Sequence, residues 1–198
     1  MIVYLIRHGQ TSANVERKFA GSWDVPLNER GISQAMTARE KLKDIPITAV
    51  YASPLQRAAI TAKTISEPHG LPVVTDSNLK EMNFGIWEKR FFSDVQKESP
   101  ELLNRWFQNY REFRVEGGES VDELYDRVSK AYDGILSKYD VDGDDAIVIV
   151  AHGGVIQTLM SHICYGDTSG YWRFEIENCG VNKIEYVMGY PVIKSINK

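Results

Sequence analysis

The chain has 198 residues, of which 43% are hydrophobic and 25% are charged, and its net charge is −4 at pH 7. This composition is typical of a globular domain that is large enough to bury its own core. The acidic balance argues against nucleic acid or an anionic membrane as a partner, and no apolar run approaches the ~20 residues of a membrane span.

The predicted elements alternate between strands and helices along the chain. Strands are predicted at residues 2–6, 47–52, 71–74, 146–151, 182–188 and 192–196. Helices are predicted at residues 31–42, 54–66, 121–139 and 155–163. Ser53 is expected to cap the second helix, and Ser120 with Glu123 forms a capping box for the third. This alternation predicts an α/β/α sandwich around a mostly parallel sheet.

Residues 79–114 differ from the rest because they are rich in aromatic side chains and carry mixed charges. They predict an insertion of loops and helices over the sheet, and with the glycine pair that ends it this cap covers about residues 79–118. No repeat, low-complexity tract or linker divides the chain. We therefore expect one domain over residues 1–198 with a small helical cap.

The N-terminus has no signal-peptide pattern, because its apolar stretch is short and ends at Arg7. Cys164 and Cys179 are the only cysteines, and they show no metal-ligand spacing. We expect a cytoplasmic protein with two reduced thiols, although the sequence leaves one disulfide open.

Two buried strands end in polar triplets, Arg7-His8-Gly9 and Ala151-His152-Gly153. Open α/β sheets bind ligands at the carboxyl ends of their strands, so the two histidines are expected to meet there. An arginine fork suits phosphate, and a histidine is a nucleophile or a proton carrier. The free amides at the start of the helix after His152 favour an anion. The alternative for His152 alone is a hydrogen-bonded histidine at a sheet edge.

Two further residues complete a candidate phosphate site. Arg57 lies in the first turn of a helix that follows another strand, where a bound anion would relieve its repulsion from the helix dipole. Glu81 lies in a loop beside predicted aromatic pocket residues and is a candidate general acid. Taken singly, Arg57 is better explained as a solvated or ion-paired surface side chain, and Glu81 as a loop carboxylate without a role.

In this order, the motifs resemble the histidine phosphatase superfamily, also called the phosphoglycerate mutase-like family, over essentially the whole chain. The matching positions are Arg7-His8-Gly9-Gln10-Thr11, Asn14, Gly21, Asp24, Leu27, Gly31, Ser53-Pro54-Leu55, Arg57, Ala58, Thr61-Ala62, Leu79, Glu81, Phe84-Gly85, residues 117–120 and residues 150–154. Two positions depart from the family pattern: Lys89 stands where glycine is frequent, and Glu116 where proline is frequent.

The resemblance implies a metal-independent phosphomonoesterase that works through a phosphohistidine on a small organic phosphate. His8 is the expected nucleophile and Glu81 the proton donor, while Arg7, Arg57 and His152 stabilise the phosphoryl charge. The expected substrate-binding residues are Gln10, Thr11, Asn14, Gly21 and Gly153. No metal or other cofactor is expected, because cationic side chains already meet this charge and the histidines lack ligand spacing.

Two alternatives stay open: a cofactor-dependent phosphoglycerate mutase and a non-catalytic phosphate-binding module. A mutase needs a second phosphate site, whereas the aromatic residues and balanced charges of residues 79–114 suit an organic leaving group. The compact length is similar to the α-ribazole phosphatase and broad-specificity phosphatase branches. The expected partner is a small phosphomonoester, and the protein is expected to be a monomer or a homodimer.

Overall fold

The computed structural model describes residues 1–198 and has a six-stranded sheet at its centre. The strands are β1 (Ile2–Arg7), β2 (Ala49–Ala52), β3 (Val73–Thr75), β4 (Ala146–Ala151), β5 (Val181–Val187) and β6 (Tyr190–Ser195). The helices are α1 (Ser12–Val15), α2 (Glu29–Leu42), α3 (Gln56–Ser66), α4 (Phe92–Glu98), α5 (Pro100–Gln108), α6 (Val121–Leu136) and α7 (Gly153–Tyr165).

The strand order is β3-β2-β4-β1-β5-β6, and the first four strands in this order are parallel to one another. Strand β5 runs antiparallel to β1, and β5 and β6 form a hairpin at the edge of the sheet. In the pair β1–β4, Arg7 lies opposite Ala151, so the two strands end at the same level. The predicted α/β architecture with a mostly parallel sheet is confirmed.

The core has two layers, because successive residues of the central strands face opposite sides of the sheet. Leu5 and Ile149 belong to the larger apolar cluster, which includes residues of α6, α7 and the segment 79–118. Their neighbours Ile6 and Val150 belong to the second cluster, which is built mainly with α2 and α3. The sheet is therefore covered on both faces.

All four predicted helices are found, with ends shifted by up to three residues. The capping box before α6 is confirmed: the Ser120 hydroxyl accepts from the Glu123 amide at 3.2 Å, and the Glu123 carboxylate accepts from the Ser120 amide at 2.9 Å. The expectation that Ser53 caps α3 is wrong. Leu55 precedes this helix without a side-chain cap, and the Ser53 hydroxyl instead contacts His152.

Two further expectations concern the cysteines and membrane spans. Cys164 and Cys179 are both free thiols, the first exposed and the second buried. None of the helices combines the length and the apolar character needed to cross a lipid bilayer.

Candidate active site

The two histidines lie side by side at the carboxyl edge of the sheet. The His8 amide donates to the Ala151 carbonyl at 2.9 Å, which continues the β1–β4 ladder by one residue. The ring centroids of His8 and His152 are 5.1 Å apart, with the ring planes inclined by 63°. Parallel pairing thus brings together two residues that are distant in sequence, as the strand-end argument predicts.

A hydrogen bond and burial fix the tautomer and the charge of the His8 ring. Its Nδ1 atom lies 2.7 Å from the Gly9 carbonyl oxygen, which only accepts, so Nδ1 carries the proton and Nε2 keeps its lone pair. Burial lowers the pKa of His8 well below its ordinary value, and the Arg57 and Arg7 guanidinium groups lower it further. His8 is therefore a neutral imidazole with an available Nε2 at neutral pH.

The two arginines are held by backbone carbonyls. Arg7 donates through Nη1 to Ile176 at 2.7 Å, while its buried Nε has no partner in the protein. Arg57 donates to the carbonyls of Ala20, Gly21 and Trp23 at 2.8–3.2 Å, which leaves two of its five N–H groups free. Burial lowers the pKa of both arginines, yet an arginine stays charged in proteins.

His152 immediately precedes α7 and is fully buried. Its Nε2 lies 2.8 Å from the Ser53 hydroxyl, and its Nδ1 has no partner. Burial, with the neighbouring His8, Arg57 and Arg7, lowers the pKa of His152 well below its ordinary value. Gly153 follows as the first helical residue, where a backbone amide has no acceptor within the helix.

The Glu81 carboxylate lies over the N-terminus of α7. One oxygen accepts from the Gly154 amide at 3.0 Å, and the other accepts from the Met82 amide at 2.9 Å. A Cβ atom at position 154 would lie 2.6 Å from Glu81 Oε1 and 2.9 Å from the Tyr171 hydroxyl. Glycine is therefore required at position 154 for the carboxylate to approach the helix.

A cleft of about 260 Å³ includes Arg7 and Glu81 in its lining, whereas His8, Arg57 and His152 lie outside that lining. Its charged lining residues are Arg7 and Glu81, and its remaining wall is largely aromatic. The full lining is Arg7, Glu81, Phe84, Trp106, Gly153, Gly154, Gln157, Tyr171, Trp172 and Ile176. No group of three or more His, Cys, Asp or Glu side chains is arranged to hold a metal ion.

The predicted binding residues of the first loop lie outside the lining of this cleft. Thr11 and Asn14 hydrogen-bond to each other as a capping box for α1, and Asn178 bridges from the His8 carbonyl towards Asn14. Gln10 bonds to neighbouring side chains of α2 and its cap. The Gly21 amide donates to the Glu88 carboxylate. Gly153 is the one predicted binding residue that lines the cleft.

Sequence reasoning missed the part of the wall that follows α7. Tyr171 and Trp172 line the cleft from a short 3₁₀ turn, and Gln157 and Ile176 flank them. The adjacent aromatic pair, placed between a helix and a strand, was a usable signal. The sequence also did not indicate that Glu88 would bind the loop before α2. Its partners there are backbone amides, which every residue except proline carries.

Comparison with known proteins places this geometry in a family. Residues 3–198 match the family model for the histidine phosphatase superfamily, branch 1. The chain belongs to this superfamily. A relative from Escherichia coli K12, named probable phosphoglycerate mutase GpmB, is 33% identical over 184 residues, which cover 93% of this chain and 84% of that protein.

Solved histidine phosphatase structures share the whole fold. The α-ribazole phosphatase from Shigella flexneri is 30% identical with a TM-score of 0.89, over 100% of this chain and 96% of that one. A phosphoserine phosphatase from Entamoeba histolytica, in complex with 3-phosphoglyceric acid, is 26% identical with a TM-score of 0.86, over the same shares. Lys89 stands where glycine is frequent in the family. It adopts a left-handed backbone conformation with φ of 69°, which glycine accommodates more readily than lysine.

Proposed function

We propose that this histidine phosphatase is a metal-independent phosphomonoesterase that forms a phosphohistidine on Nε2 of His8. The observation that carries the proposal is the hydrogen bond from His8 Nδ1 to the Gly9 carbonyl, 2.7 Å long. Because it holds the proton on Nδ1, it leaves the lone pair of Nε2 for attack on phosphorus.

The reaction runs in two displacements. In the first, Glu81 enters as the protonated acid: His8 Nε2 forms a bond to phosphorus, the bond to the leaving oxygen breaks, and Glu81 donates its proton to that oxygen and becomes a carboxylate. In the second, a water oxygen attacks phosphorus, the N–P bond breaks and returns its electron pair to Nε2, and Glu81 takes the proton from the water. Phosphate leaves, and both residues regain their starting states.

The charge of the transferred phosphoryl group is met by protein donors. Arg7 has a buried Nε without a partner. Arg57 has N–H groups in addition to those that donate to the carbonyls of residues 20, 21 and 23. His152 and the Gly153 amide add donors at the helix start. Preorganised donors in a site with little water stabilise the equatorial oxygens of the transition state, so no step requires a metal.

A phosphatase is supported over a mutase by the charges of the cleft. Arg7 is the only cation in its lining, so a second phosphate group inside this cleft would meet no cation of its own. Two cations of the cap form ion pairs with their neighbours: Arg90 with Glu98, and Arg114 with Glu123. The 33% identical relative with a mutase name keeps the mutase as the second candidate.

The cleft also supports a small organic phosphate with an apolar part as the substrate. Phe84, Trp106, Tyr171 and Trp172 offer apolar surface beside Arg7, and burying it contributes about 25 cal/mol per Å². A non-catalytic phosphate-binding module is disfavoured, because His8 and Glu81 are both present and held by hydrogen bonds.

The test is a rapid-quench experiment with labelled nitrophenyl phosphate in excess EDTA. The native protein should carry acid-labile, alkali-stable phosphate, and His8→Ala should carry none. His8→Asn is the matched control, because its amide retains a donor for the Gly9 carbonyl while removing the nucleophile. Since the pKa of His8 is lowered, labelling should persist at pH 5.5. Labelling of His8→Asn, or loss of labelling that a divalent ion restores, would refute the proposal.

A further inference from the structure

Ser53 occupies an unusual position for a serine, because it is fully buried at the end of β2 and caps no helix. Its hydroxyl oxygen lies 2.8 Å from Nε2 of His152 and accepts a longer hydrogen bond, 3.3 Å, from the Leu55 amide. A hydroxyl has one hydrogen to donate, and the Leu55 amide uses only an acceptor position. The hydrogen of Ser53 is therefore available to His152.

The other ring nitrogen of His152, Nδ1, is available to bind a ligand. Nδ1 is buried and has no partner in the protein, so it is the ring atom left to meet a phosphoryl oxygen. Burial and nearby cations keep the ring neutral, so it carries a single N–H. If that hydrogen were on Nε2, a lone pair on Nδ1 would face the anion and repel it.

We propose that Ser53 is a positioning residue that donates its hydroxyl hydrogen to Nε2 of His152 and thereby keeps the imidazole proton on Nδ1. His152 then binds a phosphoryl oxygen as a neutral donor of fixed tautomer. The second hydrogen bond of a histidine ring sets which nitrogen is protonated, and this bond supplies it. The inference rests on the proposed function only for the identity of the anion.

The tautomer is measured on the resting protein by NMR of ¹⁵N-labelled histidines, which number four in this chain. The His152 signals are assigned by their loss in His152→Asn. At pH 7.5 we expect a protonated Nδ1 and an unprotonated Nε2. A protonated Nε2, alone or together with a protonated Nδ1, would overturn the inference, and this result needs no variant of Ser53.

The Ser53→Ala variant tests the consequence. We expect a protonated Nε2 to appear and orthovanadate to bind about 10- to 100-fold more weakly, the effect of losing a hydrogen bond to a charged group. Ser66→Ala is the matched control, because Ser66 is also buried but bonds to the Lys63 carbonyl. Native tautomer and native vanadate affinity in Ser53→Ala would overturn the inference.

These outcomes separate the inference from the proposed function. If the native protein shows the Nδ1-protonated tautomer but His8 accepts no phosphoryl group, the role of Ser53 stands and the phosphatase proposal falls. If phosphohistidine forms while Nε2 of His152 is protonated, the phosphatase proposal stands and the role of Ser53 falls.

Discussion

Arg57 and Glu88 hold the same short loop, residues 20–23, through different backbone groups. Arg57 donates to the carbonyls of residues 20, 21 and 23, and Glu88 accepts from the amides of residues 21, 22 and 23 at 2.9–3.2 Å. The loop therefore binds the buried guanidinium of Arg57 through its carbonyls and the Glu88 carboxylate through its amides, and these bonds restrict both side chains. Glu88 also adds to the charges that support the ionised form of Arg57.

Glu88→Gln should therefore disturb Arg57 through the loop. An amide offers one acceptor oxygen in place of two, so we expect the free energy of unfolding to fall by about 1.5–3 kcal/mol, the range for hydrogen bonds to a charged group. Orthovanadate affinity should fall as well. Both are measured by denaturant titration and vanadate inhibition, with Glu98→Gln on the surface of α4 as the control. Unchanged affinity in Glu88→Gln would contradict this coupling.

Glu81→Gln should show a loss that depends on the leaving group. Proton delivery matters for an alkoxide and little for nitrophenolate, so alkyl phosphates should slow by about 10²–10⁴-fold and nitrophenyl phosphate far less. Arg57→Ala is the comparison, because it removes charge stabilisation and should slow both substrates alike. The measurement is kcat/KM for both ester types. Equal losses in Glu81→Gln would exclude its role as the acid.

Lys89→Gly should stabilise the protein. The left-handed backbone of Lys89, with φ of 69°, is fixed by a 2.8 Å hydrogen bond from its amide to the Phe19 carbonyl. Glycine adopts this conformation without the penalty of a Cβ atom, so we expect a gain of up to about 1 kcal/mol. Lys89→Ala retains the penalty and should show no gain in thermal melting. A gain in both variants would assign the effect to the lost charge.

We expect the protein to turn over phosphoglycerates poorly. With 3-phosphoglycerate and a trace of 2,3-bisphosphoglycerate, we expect slow phosphate release or none, and little 2-phosphoglycerate. Apolar phosphomonoesters should be better substrates, and Trp172→Ala should lower kcat/KM for these by several-fold. Tyr190→Ala is the control, since Tyr190 is exposed on β6, away from the cleft. Rapid interconversion of the phosphoglycerates without phosphate release would favour the mutase.

The fold and the meeting of the two strand-end histidines were predictable because their signals are local. Continuous apolar runs mark β1 and β4, the Ser120–Glu123 pair marks the start of α6, and the polar triplets at two strand ends mark the site. Parallel pairing follows from the alternation of elements, and it implies that His8 and His152 meet. Periodicity and backbone hydrogen bonding determine these features within short stretches of sequence.

Only the tertiary structure shows which side chains hydrogen-bond to His152 and to the loop at residues 20–23, and which line the cleft. Ser53 has the sequence context of a helix cap, yet it bonds to His152, which lies 99 positions away. Glu88 binds the amides of a loop 65–67 positions earlier, and Tyr171 and Trp172 reach the cleft from beyond α7. Such contacts join segments that only the packed sheet brings together, and a polar side chain in an irregular segment carries no periodicity that reveals its partner.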